Sequence, residues 1–149
     1  MQMAFQFSLQ TAMDVCKQEK EAAHKQYEVA VDAFECEAMA LFRLLKQKED
    51  VQAATEKMLV EKASVSDLLI SQACLDGLEQ QIGKQQLRTD QARVDMLQKK
   101  ATFQKHAVSY KQYERLKEKK RLEQKQAENR REQQLMDELC VTRFKRKFA

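Results

Sequence analysis

No proline interrupts the chain, and its only glycines are Gly77 and Gly83. This scarcity of backbone breakers constrains the fold more than any motif does. A compact β or α/β domain reverses direction about every ten residues and needs turn residues where it does so. The strong helix formers Ala, Leu, Glu, Gln, Lys and Arg are abundant instead, and 34% of the residues are charged. That combination belongs to long helices or coiled coils. Disorder is the competing reading of a highly charged chain, but it predicts no periodicity among the apolar residues.

The periodicity is present. Alternating steps of four and three from Leu9 pass through Met13, Cys16, Ala23, Tyr27, Ala30, Phe34, Leu41, Leu44, Val51 and Met58, with Lys20, Glu37, Lys48, Thr55 and Lys62 as polar members. Val31, Ala38 and Leu45 widen this heptad stripe. A second stripe runs Leu75, Leu78, Ile82, Gln85, Thr89, Ala92, Met96, Lys99, Phe103, His106, Tyr110 and Tyr113, flanked by Leu87, Val94, Ala101 and Val108. Between the stripes lies the chain's one serine cluster, where Ser64 or Ser66 can cap a helix with Asp67 in its first turn. The expectation is an all-α fold, a single antiparallel two-helix coiled coil (a helical hairpin) with a C-terminal helix overhang. Its helices cover about 8–62 and 67–141, its turn 63–66, and a basic tail follows at 142–149. Gly77 and Gly83 mark either close helix approach or local softness.

Charge favours pairing the arms. Residues 1–66 hold 8 basic and 11 acidic side chains, net −3, and residues 67–149 hold 19 and 12, net +7. A turn near 65 sets Glu28, Asp32, Glu35 and Glu37 opposite Arg93, Lys99, Lys100 and Lys105. Exposed pairs contribute only about 0–1 kcal/mol each, so they select register more than they stabilise. Everything beyond about residue 121 then projects past its partner, roughly 28 residues or ~40 Å if helical. At the root of this overhang, residues 114–134 carry 8 Lys/Arg and 5 Glu, net +3, and almost nothing to bury. Local pairs such as Lys119–Glu123 and Glu128–Arg131 would hold it helical.

Chemistry is sparse. There is no phosphate loop, HExxH, CxxC or nucleophile elbow, and Cys16, Cys36, Cys74 and Cys140 have neither metal nor redox spacing. His24 and His106 fall opposite one another without a carboxylate or cysteine to complete a ligand set. The expectation is a non-enzyme without cofactor or metal. Tyr110 and Tyr113 before a basic run imitate a nucleic-acid platform, but interleaved glutamates oppose approach to a phosphate backbone. The first thirteen residues carry no side-chain charge and do not read as a signal peptide, and no stretch reaches the ~18 apolar residues of a membrane span. The tail Arg143-Phe144-Lys145-Arg146-Lys147-Phe148 reads as frayed, or as a weak contact with an anionic surface.

Three features together resemble the FliJ family of flagellar type III export proteins. They are Phe5-Gln-Phe7-Ser-Leu9 entering a helix, a serine-containing turn followed by Leu78-Glu-x-x-Ile82, and Ala127-Glu-Asn-Arg-Arg-Glu-Gln-Gln-Leu-Met-Asp-Glu138. The last is the most specific, being similar to the family's ENR-x-(D/E)-Q-x-x-MDE ending. The resemblance implies a coiled-coil stalk like the central subunit of rotary ATPases. Its terminal end would insert into the hexameric flagellar export ATPase and promote assembly and hydrolysis. It also implies contacts with the cytoplasmic domain of the export gate and with export chaperones, and a cytoplasmic location peripheral at the inner face of the membrane, reached through partners. Carried over by residue, the ring-facing positions are Arg115, Lys117, Lys120, Arg121, Asn129, Arg130, Arg131, Glu132, Met136, Asp137 and Glu138. The gate-facing positions are Cys74, Leu78, Gln81 and Gln85, where Cys74 departs from a common aromatic and Gln85 from a polar one. Other readings stay open: the equivalent stalk of a virulence-type secretion system, a prefoldin-like holding chaperone, and a nucleic-acid-binding helical arm.

Overall fold

A computed structural model describes residues 5–148. Among them are two α-helices and no strand: α1, Gln10–Val60, and α2, Val65–Phe148. The fold is all-α, and the two helices pack against each other. The chain divides into two compact units, one joining residues 1–20 to 105–149 and the other spanning 21–104.

In the unit of residues 21–104, α1 turns back into α2 through a helix-ending motif that the sequence hardly advertises. The Ala63 N–H donates to the Met58 carbonyl at 3.0 Å and the Lys62 N–H to that of Leu59 at 3.4 Å. This is the paired bonding of a Schellman cap, which needs a left-handed residue and usually finds it in glycine. Here Lys62 supplies it, at φ 54°. Ser64 then caps α2, its Oγ accepting from the Asp67 N–H at 3.3 Å. The turn thus closes earlier than residues 63–66, and every pairing moves by about one helical turn (~4 residues). Glu37, expected opposite Arg93, sits against Gln85 and Thr89, while Arg93 lies over the Phe34 ring at 5.8 Å.

The seam of this unit follows the two stripes. Ala23 and Ala30 are buried, and Tyr27, Phe34, Leu41, Leu44, Val51 and Met58 are half-buried, as are Leu75, Leu78, Ile82, Ala92, Met96 and Phe103 on α2. His24 and Tyr27 both pack on Phe103. Polar members take part as bonded layers. Gln85 Nε2 donates to the Glu37 carbonyl at 3.1 Å and to its carboxylate, and Thr89 Oγ1 donates to the same carbonyl at 3.2 Å. Thr55 and Ser71 share a hydroxyl contact nearer the turn. Of the acidic residues expected to face the basic arm, Glu28 pairs with His24 on its own helix at 3.3 Å, and Glu37 spends its oxygens on Gln85. Between the helices of this unit, Lys48 pairs with Glu79 at 3.5 Å. Register is held by these part-buried bonds, worth roughly 1 kcal/mol each, more than by the charge asymmetry. A Cβ added at Gly77 or Gly83 would meet no atom within 4 Å, so neither glycine serves a close approach.

In the other unit Met13 and Cys16 are buried, and His106, Tyr110 and Tyr113 half-buried. Lys20 lies over the Tyr110 ring at 4.8 Å, and Glu19 meets His106 Nδ1 at 3.6 Å. Lys117 donates to Gln10 Oε1 at 2.8 Å, near the start of α1. Ahead of that start, Phe5 is half-buried and Phe7 buried, in a lead-in that is not helical until Gln10. Gln124 and Glu128 are still half-buried, and the fully exposed length of α2 starts at Asn129 rather than near 121. At its far end α2 continues through Phe148, past the expected limit near 141. Its last turn carries Lys145, Arg146 and Lys147, whose charges suit a helix C-terminus, and Phe144 and Phe148 pack one turn apart with ring centres at 4.7 Å.

Two substitutions test this account by circular dichroism melting. Lys62→Gly removes the left-handed penalty and should raise stability by about 0.5–1 kcal/mol; an unchanged or lower Tm would mean the cap carries no strain. Ala30 is 4% exposed and its neighbour Val29 68%. Ala30→Asp should therefore cost about 2–4 kcal/mol, and Val29→Asp less than about 1 kcal/mol; equal losses would contradict the seam.

Candidate functional site

Two surfaces remain once the seam is accounted for. The first is the exposed length of α2. Arg115, Lys120, Arg121, Asn129, Arg130, Arg131, Glu132, Met136, Asp137 and Glu138 are all exposed there, and Lys117 is half-buried because it serves Gln10. From Asn129 to Phe148 every residue is exposed, about 30 Å of helix with no covered face. Ordinary tertiary packing gives a helix most of its stability, so here propensity and local pairing must suffice. The pairs differ from those expected. Glu118 takes two hydrogen bonds from Arg121, at 3.0 and 2.6 Å, Glu123 pairs with Lys120 at 3.6 Å, and Glu128 accepts from Gln124 at 3.5 Å. The Glu118 carboxylate meets the Arg121 fork two-on-two, which makes this the best-oriented of the three pairs.

The hydrogen bond from Arg121, aided by its charge, holds the Glu118 carboxyl below the usual carboxylate range, and Glu118 raises Arg121 in return. Both side chains are solvent-exposed, so the pair organises the helix surface more than it stabilises the fold. Its contribution is present above the ordinary carboxylate pKa and is lost as pH falls through Glu118's lowered value.

The second surface is the turn end of the unit 21–104. Leu59, Val60, Val65, Leu69 and Ile70 are all more than half exposed, Val60 at 83%. Beside them Val51, Ala54, Met58, Ser71 and Cys74 line a shallow groove of about 390 Å³ together with Ile70 and the carboxylates Asp50 and Asp67. Sequence reasoning missed this patch, although the apolar pairs on both sides of the serine cluster, off the heptad positions, were a usable signal. The four residues assigned to the gate lie along one side of α2 but differ in exposure. Cys74 and Gln81 are exposed, Leu78 is half-buried in the seam, and Gln85 is buried with its amide given to Glu37. His24 and His106 have separate partners, Phe103 with Glu28 for one and Glu19 for the other. Among the described residues no cluster of His, Cys, Asp and Glu could hold a metal, and no helix is long and apolar enough to cross a membrane.

Fold and surfaces together define a helical-hairpin protein whose accessible chemistry is helix surface rather than cavity. Comparison with known proteins gives the particular family. The family model described as "Flagellar FliJ protein" matches residues 5–148. A relative of that description from Bacillus subtilis (strain 168) is 27% identical over 146 residues, covering 95% of this chain and 97% of that protein. No solved structure matches the chain. The chain belongs to the flagellar FliJ family.

Replacing Arg121 by Gln should return the Glu118 carboxyl upward to the ordinary range in an NMR titration. A Glu118 that titrates identically in both proteins would mean that the fork does not persist in solution.

Proposed function

We propose that this protein is a non-catalytic stalk of the flagellar protein export apparatus, and that the exposed surface of α2 from Arg115 to Glu138 enters the ring of the export ATPase. The observation that carries the reading is the bare, mixed-charge helix from Asn129 onward, which is long and continuous yet covered by none of the described residues. A ring presents several copies of one loop around an axis. A helix with Lys, Arg and Glu on all sides can meet each copy through exposed, screened contacts without a single hydrophobic lock. The residues assigned to this contact are Arg115, Lys117, Lys120, Arg121, Asn129, Arg130, Arg131, Glu132, Met136, Asp137 and Glu138. Family membership favours the flagellar stalk over the virulence-type one.

Contacts with the cytoplasmic domain of the export gate and with export chaperones belong to the same proposal. Cys74 and Gln81 are accessible for the gate, and the adjoining apolar turn end widens the surface available to it. Gln85 would have to leave Glu37 to take part, so its role is to hold the seam beneath. The same apolar turn end is what a prefoldin-like holding chaperone would offer to unfolded clients, and that reading is kept as the second. The protein would then lie at the inner face of the membrane through its partners.

Titrating the cognate flagellar export ATPase with this protein decides the matter. Wild type should stimulate hydrolysis, and the combined Arg121→Glu, Arg130→Glu, Arg131→Glu variant should lose that effect while keeping its helical content. A wild type that neither stimulates nor co-elutes with the ATPase at physiological salt would remove the stalk reading. Suppression of aggregation of an unfolded client would then favour the chaperone.

A further inference from the structure

The last ten described residues of α2 differ from the helix before them. Residues 114–134 alternate basic and acidic side chains, whereas beyond Glu138 no acidic residue follows and Arg143, Lys145, Arg146 and Lys147 stand together. At about 100° per residue, Cys140, Phe144, Phe148 and Val141 fall within one arc of roughly a third of the helix circumference. Lys147 borders this arc on one side and Lys145 on the other, with Arg143 and Arg146 further round. The arc is uncovered: Phe144 is 64% exposed and Phe148 71%. The two rings lie against each other at 4.7 Å, which makes one apolar face of them. Thr142 does not break it, since its hydroxyl donates to the Glu138 carbonyl at 2.9 Å.

We propose that residues 139–148 are a membrane-surface contact that binds anionic lipid headgroups. Phe144 and Phe148 sit at the boundary between headgroups and acyl chains, and the four basic side chains reach the lipid phosphates. Long Lys and Arg side chains can bury their stems beside an apolar face while their charges stay with the headgroups. Basic residues on both borders of the aromatic arc suit a plane that is apolar beneath and negative at its surface. An acidic protein surface would use the charges and leave the two phenylalanines in water. Four charges and two aromatics give reversible attachment, dependent on salt and on anionic lipid. This goes beyond the ring contact and rests on different residues.

Vesicle flotation with the full chain tests it, using phosphatidylcholine vesicles with and without phosphatidylglycerol. The protein should float with the anionic vesicles and stay behind with the zwitterionic ones. Phe144→Ser with Phe148→Ser should weaken partitioning on the order of 10-fold, and Gln at positions 143, 145, 146 and 147 should abolish it. Lys99→Gln with Lys100→Gln, which removes basic charge elsewhere, should leave it intact. Failure to float with anionic vesicles overturns the proposal, and so does equal flotation with both kinds. Flotation that survives loss of the phenylalanines also overturns it, because the contact is then charge alone, as an acidic protein would make. ATPase stimulation is measured without lipid. A chain that stimulates but does not float loses only this proposal, and one that floats but does not stimulate loses only the stalk.

Discussion

Everything in this molecule depends on one narrow contact, the line along which two helices touch. A pair of helices can cover only one stripe of each other, so none of the described side chains is fully enclosed, and the deepest is Ala30. Small residues at Ala23 and Ala30 let the helices approach. Larger ones at Phe34, Phe103 and Tyr110 are only partly covered and take cationic or aromatic neighbours as well. The apolar gain per residue is therefore small, and the fold relies on length. Repeating a modest contact over many heptads makes a hairpin without a conventional core.

A consequence is that polar groups carry much of the specificity. An apolar stripe of nearly uniform heptads fits several registers about equally well. Glu37, Gln85 and Thr89 fit one, because their bonds are satisfied only in that alignment. The Schellman cap at Lys62 and the Ser64 cap agree with it from the turn end. Local and long-range preferences thus point to the same answer.

The stripes were legible in the sequence almost residue by residue. Heptad spacing reports burial directly, and Met13, Cys16, Ala23, Ala30, Gln85 and Thr89 are all buried where it placed them. Register was less legible. It hangs on the turn, and a left-handed lysine has no compositional signature, so the pairing was misjudged by one helical turn. Surface ion pairs were hardly legible, because on a helix this charged several partners lie within reach and side-chain geometry chooses among them. The overhang could be read from the mismatch of arm lengths. Its accessible face could not, since a residue exposed on all sides has no periodicity. Cys74 and Gln85 illustrate the limit: seated on one helix and assigned together, one faces solvent and the other is buried.

The bonded layer at Glu37 also has a mechanical meaning. Suppose one helix is pulled along the other. A slip of one heptad would bring Glu37 against Ile82 or Met96, leaving a carboxylate, an amide and a hydroxyl facing apolar surface. Sliding is thereby penalised at that point, whereas bending, which keeps every pair together, is resisted only by the two slender helices. Under an axial load the paired helices of residues 21–104 should behave as a flexible strut of fixed register, able to curve without lengthening or shortening by a turn.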